Sequence, residues 1–139
     1  MKIYFAGAIT GGRYHQPWYK DIIEYLQGYG EVITQQIGDK DLKIREGHLT
    51  DDAIFTWLVD QLAKADAVVA DVTVPSLGVG YEIALAEKMG KNILCLFNNE
   101  TDQYLSAMIS GNPNLSLFEY KELDEVCRAI DEYFKEIQN

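Results

Sequence analysis

An uninterrupted apolar run, Ala67-Val-Val-Ala70, breaks at Asp71 into Asp-Val-Thr-Val-Pro-Ser-Leu-Gly-Val-Gly-Tyr-Glu82. Ile83-Ala-Leu-Ala-Glu-Lys-Met89 follows at once, with the residues of a helix. A short apolar run without polar alternation suits a strand buried on both faces, and such strands belong to parallel sheets covered by helices. A proline and two glycines between strand and helix place a backbone turn at the strand's carboxyl end, where open α/β sheets bind their ligands. Glu82 is expected in the first turn of a helix over 79–89, where free N–H groups and the helix dipole favour an ionised carboxylate. A carboxylate held charged beside such a turn is a candidate nucleophile, although spacing alone favours a solvated first-turn glutamate.

The same alternation runs through the whole chain. Strands are expected at Lys2–Phe5, Glu31–Thr34, Ala67–Val72, Asn92–Phe97 and Leu115–Tyr120. Helices are expected over 17–29, from a cap at Thr50 to Lys64, over 79–89, over 102–109 and from Leu123 onward. Residues 35–48 carry no strong period and suggest a mobile loop. Strand and helix in strict turn imply a five-stranded parallel sheet between two helical layers. The expectation is one doubly wound, three-layer α/β domain over residues 1–139, flavodoxin- or Rossmann-like, with no repeat or linker.

Charge narrows the partners. Lys and Arg number 12 against 22 Asp and Glu, a net charge of −10, which argues against a nucleic-acid polymer or an anionic membrane surface. The balance does not exclude a small phosphate, because backbone amides at a helix start bind one locally. No apolar run approaches the ~20 residues of a membrane span. Met1-Lys-Ile-Tyr-Phe5 enters a strand directly, without a signal-peptide pattern. Cys95 and Cys127, both in apolar settings, suit a reducing compartment, so a cytoplasmic protein is expected.

The carboxyl rim of such a sheet would collect Gly7–Arg13, Asp71–Glu82 and Asn98–Ser106. Gly7-Ala-Ile-Thr-Gly-Gly-Arg13 lacks the spacing of the dinucleotide fingerprint, and it fits either a flexible turn or a phosphate loop with Arg13 as its cation. Tyr4, inside the first strand, needs a partner for its hydroxyl, and a carboxylate across the rim would serve. Ser76 can cap the following helix or donate to a phosphate, and Ser106 is a small residue on a helix face. His15 and His48 are the two histidines, too far apart to form a metal motif.

Taken together, these pieces resemble the nucleoside 2-deoxyribosyltransferase superfamily, and most closely its 2'-deoxynucleoside 5'-monophosphate N-glycosidase branch. The matching segments are Ile3-Tyr-Phe-Ala-Gly7 with Gly11-Gly-Arg13, Tyr29-Gly-Glu-Val-Ile-Thr34, Ala65–Thr73, Pro75-Ser-Leu-Gly-Val-Gly-Tyr-Glu82, Ile93-Leu-Cys-Leu-Phe97 and Leu105-Ser-Ala-Met-Ile109. The resemblance implies that Glu82 attacks the anomeric carbon and carries a glycosyl intermediate, with Tyr4 orienting it. It implies substrate contacts from Gly7, Ile9, Gly11, Gly12, Arg13, Ser76, Gly78 and Gly80, and from Ser106 of a neighbouring subunit in a homodimer. A small nucleotide or nucleoside is the implied substrate, cleaved by hydrolysis without metal or organic cofactor. Base exchange by a transferase, and nucleotide binding with little catalysis, are the rival readings.

Two positions depart from the family pattern. Leu58 stands where the family carries an aspartate on the helix before the third strand. Asp60 is near in sequence, but two residues turn it about 200° around the helix. Ala8 and Thr10 stand where the phosphate-selective branch carries serine and arginine, which removes a hydroxyl donor and a cation from the implied phosphate site.

Overall fold

The computed structural model describes residues 1–8, 15–35 and 48–139. Strands β1 (Lys2–Ala6), β2 (Glu31–Val32), β3 (Ala67–Asp71), β4 (Asn92–Asn98) and β5 (Ser116–Tyr120) form one parallel sheet in the order β2-β1-β3-β4-β5. Helices α1 (Gln16–Leu26), α2 (Asp51–Lys64), α3 (Leu77–Lys88), α4 (Ala107–Ser110) and α5 (Leu123–Gln138) complete the described elements. This is the flavodoxin-like order of a doubly wound sheet, in which the strand direction of travel reverses between β1 and β3. The α/β class and the five parallel strands expected from the sequence are present.

Alternate residues of each strand feed opposite cores. Ile3 and Phe5 of β1, Ala67 and Val69 of β3, and Leu94 and Leu96 of β4 pack with Tyr19, Ile22 and Leu26 of α1. Val126, Ala129, Ile130, Tyr133 and Phe134 of α5 close that layer, at the i, i+3, i+4, i+7, i+8 spacing that makes one apolar helix stripe. Tyr4, Ala6, Val68, Ala70, Ile93 and Cys95 point the other way, onto Leu62 of α2 and Val79, Ile83 and Ala86 of α3. Burying side chains of this size is worth about 1.5–3 kcal/mol each before conformational entropy is subtracted.

The first helix ends at Leu26 rather than 29 and several strand ends shift by a residue, while three further differences each arise through a side chain that takes over a backbone group. β2 stops at Val32, because the Thr34 hydroxyl replaces the ladder: it accepts the Phe5 N–H and donates to the Phe5 carbonyl, both at 2.7 Å. α3 begins at Leu77, two residues early, with Ser76 as its cap accepting the Val79 N–H at 3.2 Å. Glu82 therefore lies in the second turn, and the dipole argument for its charge lapses. The helix expected over 102–109 shrinks to α4. Asn98 and Thr101 draw the Glu100 and Gln103 amides into local turns, and Ser106 caps only the last four residues by accepting the Met108 N–H. Most of the loop expected over 35–48 lies outside the described residues. No helix among the described residues is long and apolar enough to cross a membrane.

Candidate active site

α2 runs into the amino end of β3, and α3 leaves its carboxyl end, so both helices begin over the carboxyl rim of the sheet. Between them, beside the β1/β3 reversal, opens a cavity of about 510 Å³. Its floor is Tyr4 and Gly7 from β1 and the residue after it, with Ser76, Gly78 and Glu82 on one side. The Tyr4 hydroxyl donates to Glu82 Oε2, so the tyrosine is a core residue with its polar end spent on a carboxylate. Glu82 is half-buried. That fixes one oxygen and leaves the carboxylate presented to a cavity large enough for a drug-sized ligand.

The opposite wall is apolar. Ile54, Phe55, Leu58, Val59 and Leu62 of α2 line it, and Tyr81 and Leu85 of α3 join them. Phe55 and Tyr81 meet edge to face with centroids 6.4 Å apart, bridging the two helices. Asp60 does not replace a carboxylate at position 58. It sits on the outer face of α2, where Lys64 holds it at 2.7 Å. Leu58 lines the cavity directly.

Glycine spacing had suggested a loop cradle, but both glycines are helical. Gly78 faces the site, since a Cβ there would lie 3.8 Å from Ser76 Oγ and 3.9 Å from Glu82 Oε1. Gly80 faces away and lines a second groove, of about 720 Å³, between α3 and α4. Ser106 lines that groove too, while Ser76 borders both spaces. The structure thus gathers Tyr4, Gly7, Ser76, Gly78 and Glu82, and it sets Gly80 and Ser106 apart. Ile9, Thr10, Gly11, Gly12 and Arg13 lie outside the described residues.

Gly7 is required by packing. A Cβ there would meet the Tyr19 ring at 2.9 Å, and the Tyr19 hydroxyl accepts the Ala8 N–H at 3.1 Å. The Ala8 amide is therefore already used. Behind the rim lies a polar network that the sequence reading missed. Asp71, fully buried at the end of β3, accepts from the Tyr120 hydroxyl at 2.6 Å and the Thr73 N–H at 3.0 Å. His15 Nε2 lies 2.8 Å from the same hydroxyl, and its ring stacks on Trp18. A charged residue closing a wholly apolar run was the signal for it. The nearby Cys95 thiol is pushed up to about 12 by burial and by Asp71, which excludes it as a nucleophile at neutral pH. Among the described residues no group of three His, Cys, Asp or Glu side chains converges as a metal site.

Comparison with known proteins places the chain in a family. The sequence profile of the nucleoside 2-deoxyribosyltransferase family matches residues 3–129. A 5-hydroxymethyl-dUMP N-hydrolase of Danio rerio is 45% identical over 97% of this chain and 96% of its own length. A protein of the same name from Esox lucius is 43% identical over 97% of both. The solved structure of the Clostridium botulinum CMP N-glycosidase BcmB superposes with a TM-score of 0.67, at 22% identity, over 96% of this chain and 99% of that one, a likeness of fold. The chain belongs to the nucleoside 2-deoxyribosyltransferase family.

Proposed function

We propose that this protein is an N-glycosidase that hydrolyses a (2'-deoxy)nucleoside 5'-monophosphate to free base and sugar phosphate. The observation that carries it is Glu82 held by the Tyr4 hydroxyl in the cavity at the strand reversal. The names of the relatives, N-hydrolases of a nucleoside monophosphate, support the reaction class.

Glu82 attacks C1' as the N-glycosidic bond breaks, and the base leaves with the bonding electron pair and takes its proton from solvent. Water then adds to C1', the bond to Glu82 breaks, and the carboxylate is restored. Two displacements replace one difficult step. Tyr4 holds Glu82 in its attacking position. Ser76 and the turn that begins at Gly7 serve the phosphate, with Ile9, Gly11, Gly12 and Arg13 as the remaining members of that turn. The chemistry draws on side chains alone, without metal or organic cofactor.

The reading includes a homodimer. Leu77, Tyr104 and Met108 are 96%, 95% and 81% exposed around the second groove, an apolar surface of the kind that marks association. Ser106, on that groove, would complete the neighbour's phosphate site.

Purified protein incubated with each common deoxynucleoside monophosphate should release free base, and Glu82→Ala should lower the rate by about 10³-fold or more. Unchanged release in that variant would overturn the assignment. The family profile's name favours one rival, transfer of the deoxyribosyl group to a second base. Product that forms only when an acceptor base is added would favour it. Tight nucleotide binding with no base release over hours would instead make the protein a binding module.

A further inference from the structure

Three aspartates lie on α2, and their surroundings divide their work. Asp52 faces the Thr50 hydroxyl, which holds its carboxyl below the usual range. Asp60 is paired with Lys64. Asp51 lines the cavity that contains Glu82, on the helix face it shares with Ile54, Phe55 and Leu58. The spacing i, i+3, i+4, i+7 explains that sharing, and it places Asp60 about 180° away. Asp51 begins the helix, so it stands at the mouth over the sheet's carboxyl rim, while Leu58 lies two turns deeper.

We propose that Asp51 reads the leaving base, its carboxylate accepting a hydrogen bond from an N–H on the base edge remote from the sugar. This rests on the N-glycosidase reading above. With C1' at Glu82, the base lies along the apolar wall of α2, where Leu58 and Phe55 contact its faces and offer it no polar partner. The far edge then reaches the rim, and Asp51 is the α2 side chain that can answer a polar edge there. A carboxylate is acceptor-only, so it selects a donor edge. An amino group or imide N–H qualifies, and a base that offers only ring-nitrogen acceptors does not. A site built around one such bond prefers the base that supplies the donor, because the analogue without it leaves that bond unmade.

The test compares matched monophosphates that differ in one donor. dAMP is paired with purine 2'-deoxyriboside 5'-monophosphate, and dCMP with its 4-deamino analogue. Dissociation constants are measured by calorimetry in the Glu82→Gln background, and kcat/KM in the Glu82-intact enzyme. The protein should prefer the donor-bearing member of each pair by about tenfold or more. Asp51→Asn, which adds an amide that can itself donate, should erase or reverse that preference. Asp52→Asn, with the same change of charge on the same turn, should keep the native preference. A preference unchanged by Asp51→Asn, in binding and in turnover, would overturn the assignment of Asp51. Absence of turnover alone would count against the N-glycosidase reading, and the binding comparison would still decide the role of Asp51.

Discussion

Tyr120 donates its hydroxyl to Asp71 across 2.6 Å, tying the end of β5 to the end of β3 where neither side chain meets solvent. Burial and the adjacent carboxylate hold the Tyr120 hydroxyl far above an ordinary tyrosine, so it is always the donor. With that one proton spent on Asp71, the His15 contact is satisfied when Nε2 carries its own hydrogen. The network is thus a structural joint, joining β3, β5 and the start of α1 behind the cavity.

Tyr120→Phe keeps the ring and removes the donor, leaving the Thr73 amide as the backbone donor to Asp71. A buried acceptor deprived of a partner costs about 1–3 kcal/mol. Urea unfolding should show that loss with an unchanged m-value, and the melting temperature should fall by several degrees. Equal stability of the variant and the parent would mean that the joint carries no weight.

Tyr4→Phe asks a different question, because Tyr4 sits under the proposed nucleophile. The ring stays in the core between the sheet and the α2/α3 layer, and the hydroxyl that holds Glu82 disappears. A hydrogen bond to a charged group is worth about 1.5–3 kcal/mol, which corresponds to about a 10- to 100-fold fall in kcat. KM should move much less. Steady-state kinetics with a melting curve on the same preparation separate loss of positioning from loss of fold.

Much of this was legible in the sequence because local and tertiary demands agreed. The unbroken run Ala67–Ala70 needs two covered faces, and it lies at the centre of the sheet with β1 and β4 on either side. Tyr4 and Glu82 are 78 residues apart; the pattern suggested a rim carboxylate for the tyrosine, and the family resemblance implied that it is Glu82. What stayed hidden depended on single side-chain bonds. Thr34 ended β2 by binding Phe5 at both backbone groups, and Ser76 drew Gly78 and Gly80 into a helix. Asp51 is, by its place in the chain, a first-turn charge of α2. Its face becomes visible only when 51, 54, 55 and 58 are set on one wheel and a cavity is found against them.

The exposed groove yields a prediction about assembly. Met108→Asp places a charge on a surface that the proposed homodimer would bury, and an unpaired charge there opposes association. Light scattering should shift from twice the chain mass toward 15.7 kDa. Ser106→Ala, a far smaller change, should leave the mass alone and raise KM for monophosphates more than for nucleosides. A parent protein that is monomeric at micromolar concentration would remove this part of the reading.

The last prediction concerns acid. Asn114 and Asn112 donate to the two oxygens of Glu87 at 2.8 and 2.9 Å, linking the turn after α4 to α3. Those two bonds, Asn114 first, hold the Glu87 carboxyl below its ordinary value. A carboxyl with a depressed folded value lends its stability in full above the unfolded value, near 4.3, and loses it as pH falls through the folded one. The Glu87 contribution should therefore be complete at pH 6 and disappear on acidification below about pH 4. Asn114→Ala should raise the Glu87 titration midpoint in a carbon-detected NMR titration and flatten the acid limb of urea stability. Because Glu87 is a surface group, the change should be small and should shrink further in high salt. A midpoint that does not move in Asn114→Ala would show that the asparagines do not tune this carboxyl.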